Sequence, residues 1–274
     1  MAFLTEPEPE RGKPQAIAPG ILRLVARNPS KMTFHGTNTY LIESEGGFLV
    51  LDPGPATDEQ HVADILAATG GKISGVVISH GHHDHVGALK ALQARIEAPT
   101  YGYPVSIAPD FTPDVALRHG DRVAHLQALH TPGHASDHLC FTDGEGLVFT
   151  ADHVMAWNSS VVSPPSGSMA DYVSSLQMMI DRDDRFYLPG HGPALAEPRD
   201  YVIEMRRRRM AREEEILATL RGETLSVPEI AERLYAKTDP HLQSAAERNV
   251  MSHLQKLWTE GRVVEDDDGW VAVD

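Results

Sequence analysis

Val76-Val77-Ile78-Ser79-His80-Gly81-His82-His83-Asp84-His85-Val86-Gly87-Ala88-Leu89 is the stretch on which the reading of this chain turns. A β-branched run of strand length ends at Ser79, and apolar residues at three- and four-residue spacing resume from Val86 as a helix over residues 86–96. The donors therefore lie in a strand-to-helix turn, at the kind of sheet edge where α/β proteins bind ligands. His80 and His82 can reach one metal ion, while Asp84 and His85 begin a second site as the helix starts. His83 falls outside this spacing and is not expected to ligate. A lone histidine on a strand is ordinarily a core or surface residue, and the chain has 15 histidines to scatter. Four donors packed into six positions after a strand are much harder to obtain by drift. Three later segments end apolar runs with the same ligand types: Thr131-Pro132-Gly133-His134, Phe149-Thr150-Ala151-Asp152 and Leu188-Pro189-Gly190-His191. Imidazole nitrogen and carboxylate oxygen suit Zn2+, and they also suit Fe or Mn.

Outward from this turn, strand-length apolar runs bounded by turn residues occupy residues 21–26, 39–42, 48–51 and 73–79, then 122–130, 138–142 and 147–150. Residues 62–68 have helical spacing. Adjacent strand runs alternating with helices predict stacked sheets with helices outside, an α/β sandwich over residues 20–198. Residues 1–19, with four prolines, read as a loose arm. Residues 199–221 read as a polar connecting helix with an arginine block at 206–209 and a glutamate block at 213–215. Arg209 and Glu213 lie four apart, a pairing that contributes about 0.3 kcal/mol. Within residues 222–274, Ser226 and Glu229 form a capping-box pattern opening a short helix. Asp239-Pro240 starts another, with Leu242, Ala246, Val250, Leu254 and Leu257 on one face and a stop near Gly261. Two short strands around an Asp-Gly turn follow. Helix, helix, hairpin is the outline of a winged helix.

Composition is that of a globular protein, 41% hydrophobic and 23% charged. The net charge of −15 makes a polyanionic partner an exception that local basic residues would have to justify. The first ten residues carry neither a basic nor an apolar signal-peptide region, and no run of 18 apolar residues suggests a membrane span. Together with a single cysteine, Cys140, which reads as a small buried core residue, this places the chain in the cytosol as an expectation.

With its His-x-His-x-Asp-His motif followed by a later His, Asp and His, the sequence resembles the metallo-β-lactamase superfamily over about residues 21–193. The resemblance implies an αββα sandwich with two metal ions. It would give His80, His82 and His134 to the first ion and Asp84, His85 and His191 to the second, with Asp152 bridging. Gly36-Thr37-Asn38-Thr39-Tyr40 and Leu51-Asp52-Pro53-Gly54 resemble early segments of the family. Asp52 is then a candidate to hold a ligand histidine's other N–H, with a strand-ending turn residue a close second reading. With the tail included, the layout is similar to the β-lactamase-like-2 branch, whose mitochondrial members are endoribonucleases.

Two divalent ions about 3.5–4 Å apart lower the pKa of a shared water from roughly 15.7 to about 7, giving a hydroxide nucleophile at neutral pH. The expected activity is metal-dependent hydrolysis of a small ester, thioester or lactone, with Asp84 orienting the nucleophile or taking its proton. His138 and His153 are candidate oxyanion donors, and Tyr40, Trp157 and Asn158 candidate pocket residues. Single-strand-specific RNA cleavage is the alternative. Against it, residues 199–274 carry 12 Lys/Arg and 16 Asp/Glu, and the expected wing is acidic at 265–268. A metal-sensing DNA-binding regulator is a third reading, opposed by the complete ligand set. The tail is expected to shape the active-site mouth or a dimer contact.

Overall fold

Val50 and Leu51 are neighbours on one strand, yet each is buried against a different layer, and that alternation builds the molecule. The computed structural model describes residues 2–236 and 243–273; the expected helix start at Asp239 and the core position Leu242 lie outside the described residues. Strands β1 (Gln15–Ala18), β2 (Ile21–Val25), β3 (Asn38–Ser44), β4 (Gly47–Leu51), β5 (Ile73–Val77), β6 (Thr100–Gly102) and β7 (Val115–Ala116) form one sheet in chain order. The second sheet runs β13 (Leu195–Ala196), β12 (Phe186–Pro189), β11 (Leu147–Ala151), β10 (Leu139–Thr142), β9 (Leu126–His130), β8 (Arg122–Val123). Leu49, Leu51 and Val77 of the first sheet meet Phe141, Phe149 and Leu188 of the second in the central core. Val50 and Val76 point outward instead, onto Val62 and Ile65 of α1 (Glu59–Thr69). Cys140 and Val148 likewise point outward, onto Leu176 and Met179 of α4 (Met169–Ile180). Sheets covered on both faces need nearly continuous apolar strands, as the sequence has. The result is an αββα sandwich.

Three expectations are corrected. The single helix expected over residues 86–96 is instead two short ones, α2 (His83–Val86), which begins within the motif, and α3 (Leu89–Gln93). The break falls at Gly87, where a Cβ would lie 2.3 Å from His83 O and 2.7 Å from the Ala56 nitrogen. Residues 122–130 form a hairpin, turning at Ala124 with φ 49°. The arm at 1–19 is pinned: β1 pairs with β2, and Glu6 binds the buried Arg23 guanidinium at 2.9 Å, which would otherwise be an unpaired buried charge. Helix α4 went unread in the sequence.

The long helix α5 (Arg199–Thr219) serves two cores. Val202 and Met205 pack with α4, whereas Ile216 and Leu217 pack with α6 (Val227–Tyr235), α7 (Gln243–Thr259) and Trp270. The capping box closes, Ser226 N–H donating to Glu229 at 2.8 Å. Gly261, in the left-handed region, ends the stretch after α7, and β14 (Val263–Asp266) pairs with β15 (Gly269–Ala272) as the wing. The Arg209–Glu213 pair does not form. Glu213 is fully buried and turns inward to Lys256 Nζ at 2.8 Å and His253 Nδ1 at 3.3 Å on α7. Arg209 donates to Ser160 O and lies over the Tyr172 ring.

The Glu213–Lys256 pair gives a stability test. Lys256→Met should leave a buried carboxylate without its main partner and cost about 3–5 kcal/mol in urea unfolding. A loss under about 1 kcal/mol would mean that the carboxylate is not effectively desolvated.

Candidate metal centre

The donors all follow the ends of strands that run in one direction. β4 is parallel to β5 and β11 to β12, while β9 runs with β11 across the antiparallel β10. The loops after β5, β9, β11 and β12 therefore emerge at one edge of the sandwich. There the structure brings together all seven sequence-predicted donors. His80, His82 and His134 form one group, and Asp84, His85 and His191 a second, with His80, His85 and Asp152 linking them. In the first group His82 Nδ1 lies 2.9 Å from both His80 Nε2 and His134 Nε2. In the second, His191 Nε2 is 3.2 Å from Asp84 Oδ2. Asp152 stands between: Oδ1 is 3.4 Å from the Nε2 atoms of His85 and His191, and Oδ2 is 3.6 Å from His134 Nε2.

Outer hydrogen bonds aim these rings. Asp52 Oδ2 accepts from His85 Nδ1 at 2.8 Å and from Ser79 Oγ at 2.6 Å, and Ser79 Oγ contacts His80 Nδ1 at 2.9 Å. One carboxylate thus orients two rings. His134 Nδ1 donates to Val161 O at 2.7 Å and His191 Nδ1 to Gly36 O at 3.3 Å. All four rings consequently turn Nε2 inward, the nitrogen that offers a lone pair to a cation once the ring is neutral. Asp52 and Ala151, next to Asp152, both have left-handed backbone (φ 54° and 40°), local strain of the kind that collects at functional sites.

Electrostatics point the same way. Burial, reinforced by His134, pulls His82 down to about 4, and burial with His85 and His82 pulls His80 well below its usual range. These rings are neutral at pH 7. Although burial opposes it, the nearby carboxylates, Asp152 foremost, push His191 up to about 9. Burial likewise opposes ionisation of Asp84, yet His85 and His191 hold it below the usual carboxylate range. A cluster that must borrow protons to balance two closely set carboxylates is one that divalent cations would balance better. The fit has an independent mark: His85 Nε2 and Asp152 Oδ1 are buried without a hydrogen-bond partner, which a metal would supply.

Other sequence candidates take different places. His83 is exposed and joins none of the donor groups. His138 is a support, its Nε2 accepting from the Asp152 N–H at 3.3 Å and its Nδ1 bound to Thr131 Oγ1. His153 is buried against Tyr172, and neither histidine lines the mouth of the site. Tyr40 is core, with its hydroxyl donating to Pro189 O. Trp157 packs on Phe34, and Asn158 lines a neighbouring cavity. Cys140 is buried as expected. Several supports carried no visible signal in the sequence. Asp137 accepts from the Gly81 and Ile107 N–H groups and so holds the His80–His82 turn. At Gly190 a Cβ would lie 2.7 Å from both Asp152 Oδ1 and His85 Cε1. Arg248 of α7 stands at the mouth.

The metallo-beta-lactamase superfamily model matches residues 32–191. The chain belongs to this superfamily. A beta-lactamase associated winged helix domain matches residues 226–270. The chain is 30% identical over 264 residues to a beta-lactamase-like protein 2 homolog of Drosophila melanogaster, covering 89% of each. It is 31% identical over 214 residues to an atrochrysone carboxyl ACP thioesterase of Aspergillus chevalieri, covering 76% of this chain and 68% of the relative. A beta-lactamase domain protein of Burkholderia ambifaria superposes with a TM-score of 0.82 at 21% identity, covering 97% of this chain and 95% of that one, which shows the shared fold. The protein is thus a metallo-beta-lactamase superfamily hydrolase whose His/Asp groups imply divalent metal. Among the described residues no helix is long and apolar enough to cross a membrane.

Metal content tests the donor set. The purified protein should carry about two ions, Asp152→Ala at least one fewer, and His83→Ala the same as the parent by elemental analysis. Gly190→Ala should weaken metal retention about 10–100-fold in a chelator competition, because its methyl would displace a donor. An unchanged D152A metal content would contradict the central place given to that carboxylate.

Proposed function

We propose that this hydrolase cleaves acyl thioesters using two divalent ions, zinc by the chemistry of its donors. His80, His82 and His134 would hold one ion and Asp84, His85 and His191 the other, with Asp152 between them. The observation that carries the metal reading is the placement of Asp152, whose two oxygens face the two donor groups. When bound, the ions supply a water acidified toward neutral pH and a Lewis acid for the scissile carbonyl. Asp84 is the one carboxylate of the set that is part-exposed toward the mouth, at 30%. Its oxygens would orient the attacking water and take its proton, and His85 and His191 keep it ionised for that task. The thioester assignment rests on the relative named as a thioesterase, which is 31% identical over 76% of this chain.

The arginine block at 206–209 does not form one continuous surface patch of the kind that would track an RNA backbone. Arg207 and Arg208 both turn to Glu204, Arg209 turns inward to Ser160 O, and Arg206 Nε is buried. The wing is acidic as expected, Glu265 and Asp266 being exposed on β14. Both features weigh against RNA as the substrate.

Zinc-loaded protein should hydrolyse an acyl thioester faster than a lactone, a β-lactam or single-stranded RNA offered side by side. Chelation should abolish turnover and added zinc restore it. RNA cleavage at physiological salt exceeding thioester hydrolysis would replace this reading.

A further inference from the structure

The mouth of the metal centre, a cavity of about 230 Å³, adjoins a second cavity of about 320 Å³, with Met32 and Val161 lining both. Val161 belongs to both walls, and its carbonyl also fixes His134. The second cavity is lined by Lys31, Arg208, Arg209 and Arg212, and among the described residues no Asp or Glu lines it. Arg248 extends the cationic lining to the mouth, where among the described residues the only acids are the donors Asp84 and Asp152. In a chain with 39 Asp/Glu against 24 Lys/Arg, five cations and no spare carboxylate along one cleft is a local reversal of charge. Local reversal of this kind focuses the field onto an anionic ligand.

The partners of these cations sharpen the point. Arg212 is offset by Glu215 at 2.9 Å and lies over the Tyr235 ring, and Arg208 is offset by Glu204. Arg209 and Arg248 have only neutral partners among the described residues: Ser160 O, Asn249 Oδ1 and the Tyr172 ring for Arg209, and Ser244 Oγ for Arg248. Among the described residues, two guanidinium charges, one lining each cavity, thus face no carboxylate. Arginine forks match phosphate oxygens in geometry as well as charge.

We infer that this cleft binds the phosphate-bearing arm of the thiol leaving group, with Arg248 and Arg209 as phosphate-recognising residues. The inference rests on the thioester reading, since thiol carriers of acyl groups commonly bear phosphate. It also gives the winged-helix domain a function. Its helix α7 supplies Arg248 to the mouth and Ala245, Ala246 and Asn249 to the adjoining cavity, so the domain is a wall of the substrate cleft.

The test uses the full metal-loaded chain and two readouts. By calorimetry, coenzyme A and 4′-phosphopantetheine should bind, whereas pantetheine, which lacks phosphate, should bind at least about tenfold more weakly. Equal affinity for the first two would point to a carrier-borne arm, and clear preference for coenzyme A to its nucleotide phosphates; either supports the inference. In kinetics, the ratio of kcat/KM for an acyl-coenzyme A over the same acyl group on N-acetylcysteamine should exceed about ten and fall toward one in Arg248→Gln. It should fall further in Arg248→Glu, mainly through KM. Arg248 is exposed, so both variants should fold. If both thioesters turn over equally and phosphate does not aid binding, this inference fails while the thioester reading stands. If phosphopantetheine binds in an Arg248-dependent way but no thioester is cleaved, the thioester reading fails and the phosphate site remains. Tighter, Arg248-dependent binding of a single-stranded oligonucleotide than of coenzyme A would overturn the assignment.

Discussion

Two carboxylates and five imidazoles share one buried space, and everything around them is arranged to make that tolerable. Asp152 alone would be expensive to bury. It is compensated by His85 and His191 on one side and His134 on the other, and its backbone N–H is tied to His138. Those rings are compensated in turn by Asp52, by carbonyls of Gly36 and Val161, and by the Ser79 hydroxyl. The strand directions in both sheets follow the same requirement, since only loops leaving the same edge can bring seven side chains within reach of one another.

How much of this is legible in the sequence depends on how local the cause is. The donor set is readable because each member closes a strand and the motif packs four of them into six positions. The sandwich is readable because Leu49, Val50 and Leu51 are all apolar, the mark of a sheet covered on both faces. Asp52 can be suspected from its place after β4, but its tie to two rings at once needs the fold. Asp137, Gly190 and Arg248 are invisible for a different reason. Each acts across more than 30 residues of chain, and nothing in its own neighbourhood distinguishes it. Glu213 misleads outright, because four-residue spacing to Arg209 suggests a surface pair while α7 offers Lys256 in the interior. Local charge pairing contributes tenths of a kcal/mol, so tertiary compensation of a buried carboxylate overrides it.

The arginine block makes the same point for function. Four consecutive cations in a sequence look like a patch, yet on a helix successive residues are about 100° apart and face different surroundings. Only Arg208 and Arg209 reach the cleft. The cationic character there is assembled from these two together with Lys31, Arg212 and Arg248, drawn from opposite ends of the chain.

Helix α5 has one more consequence. Its first turns complete the core over α4, and its last turns complete the core beneath α6, α7 and the wing. Neither unit has a closed apolar interior without its share of this helix, and no break interrupts it between them. The two units are thus joined by a rigid rod rather than a tether, so loosening either end frays a helix that the other needs. A destabilised winged helix should therefore lower the stability of the hydrolase sandwich as well, despite two recognisable modules.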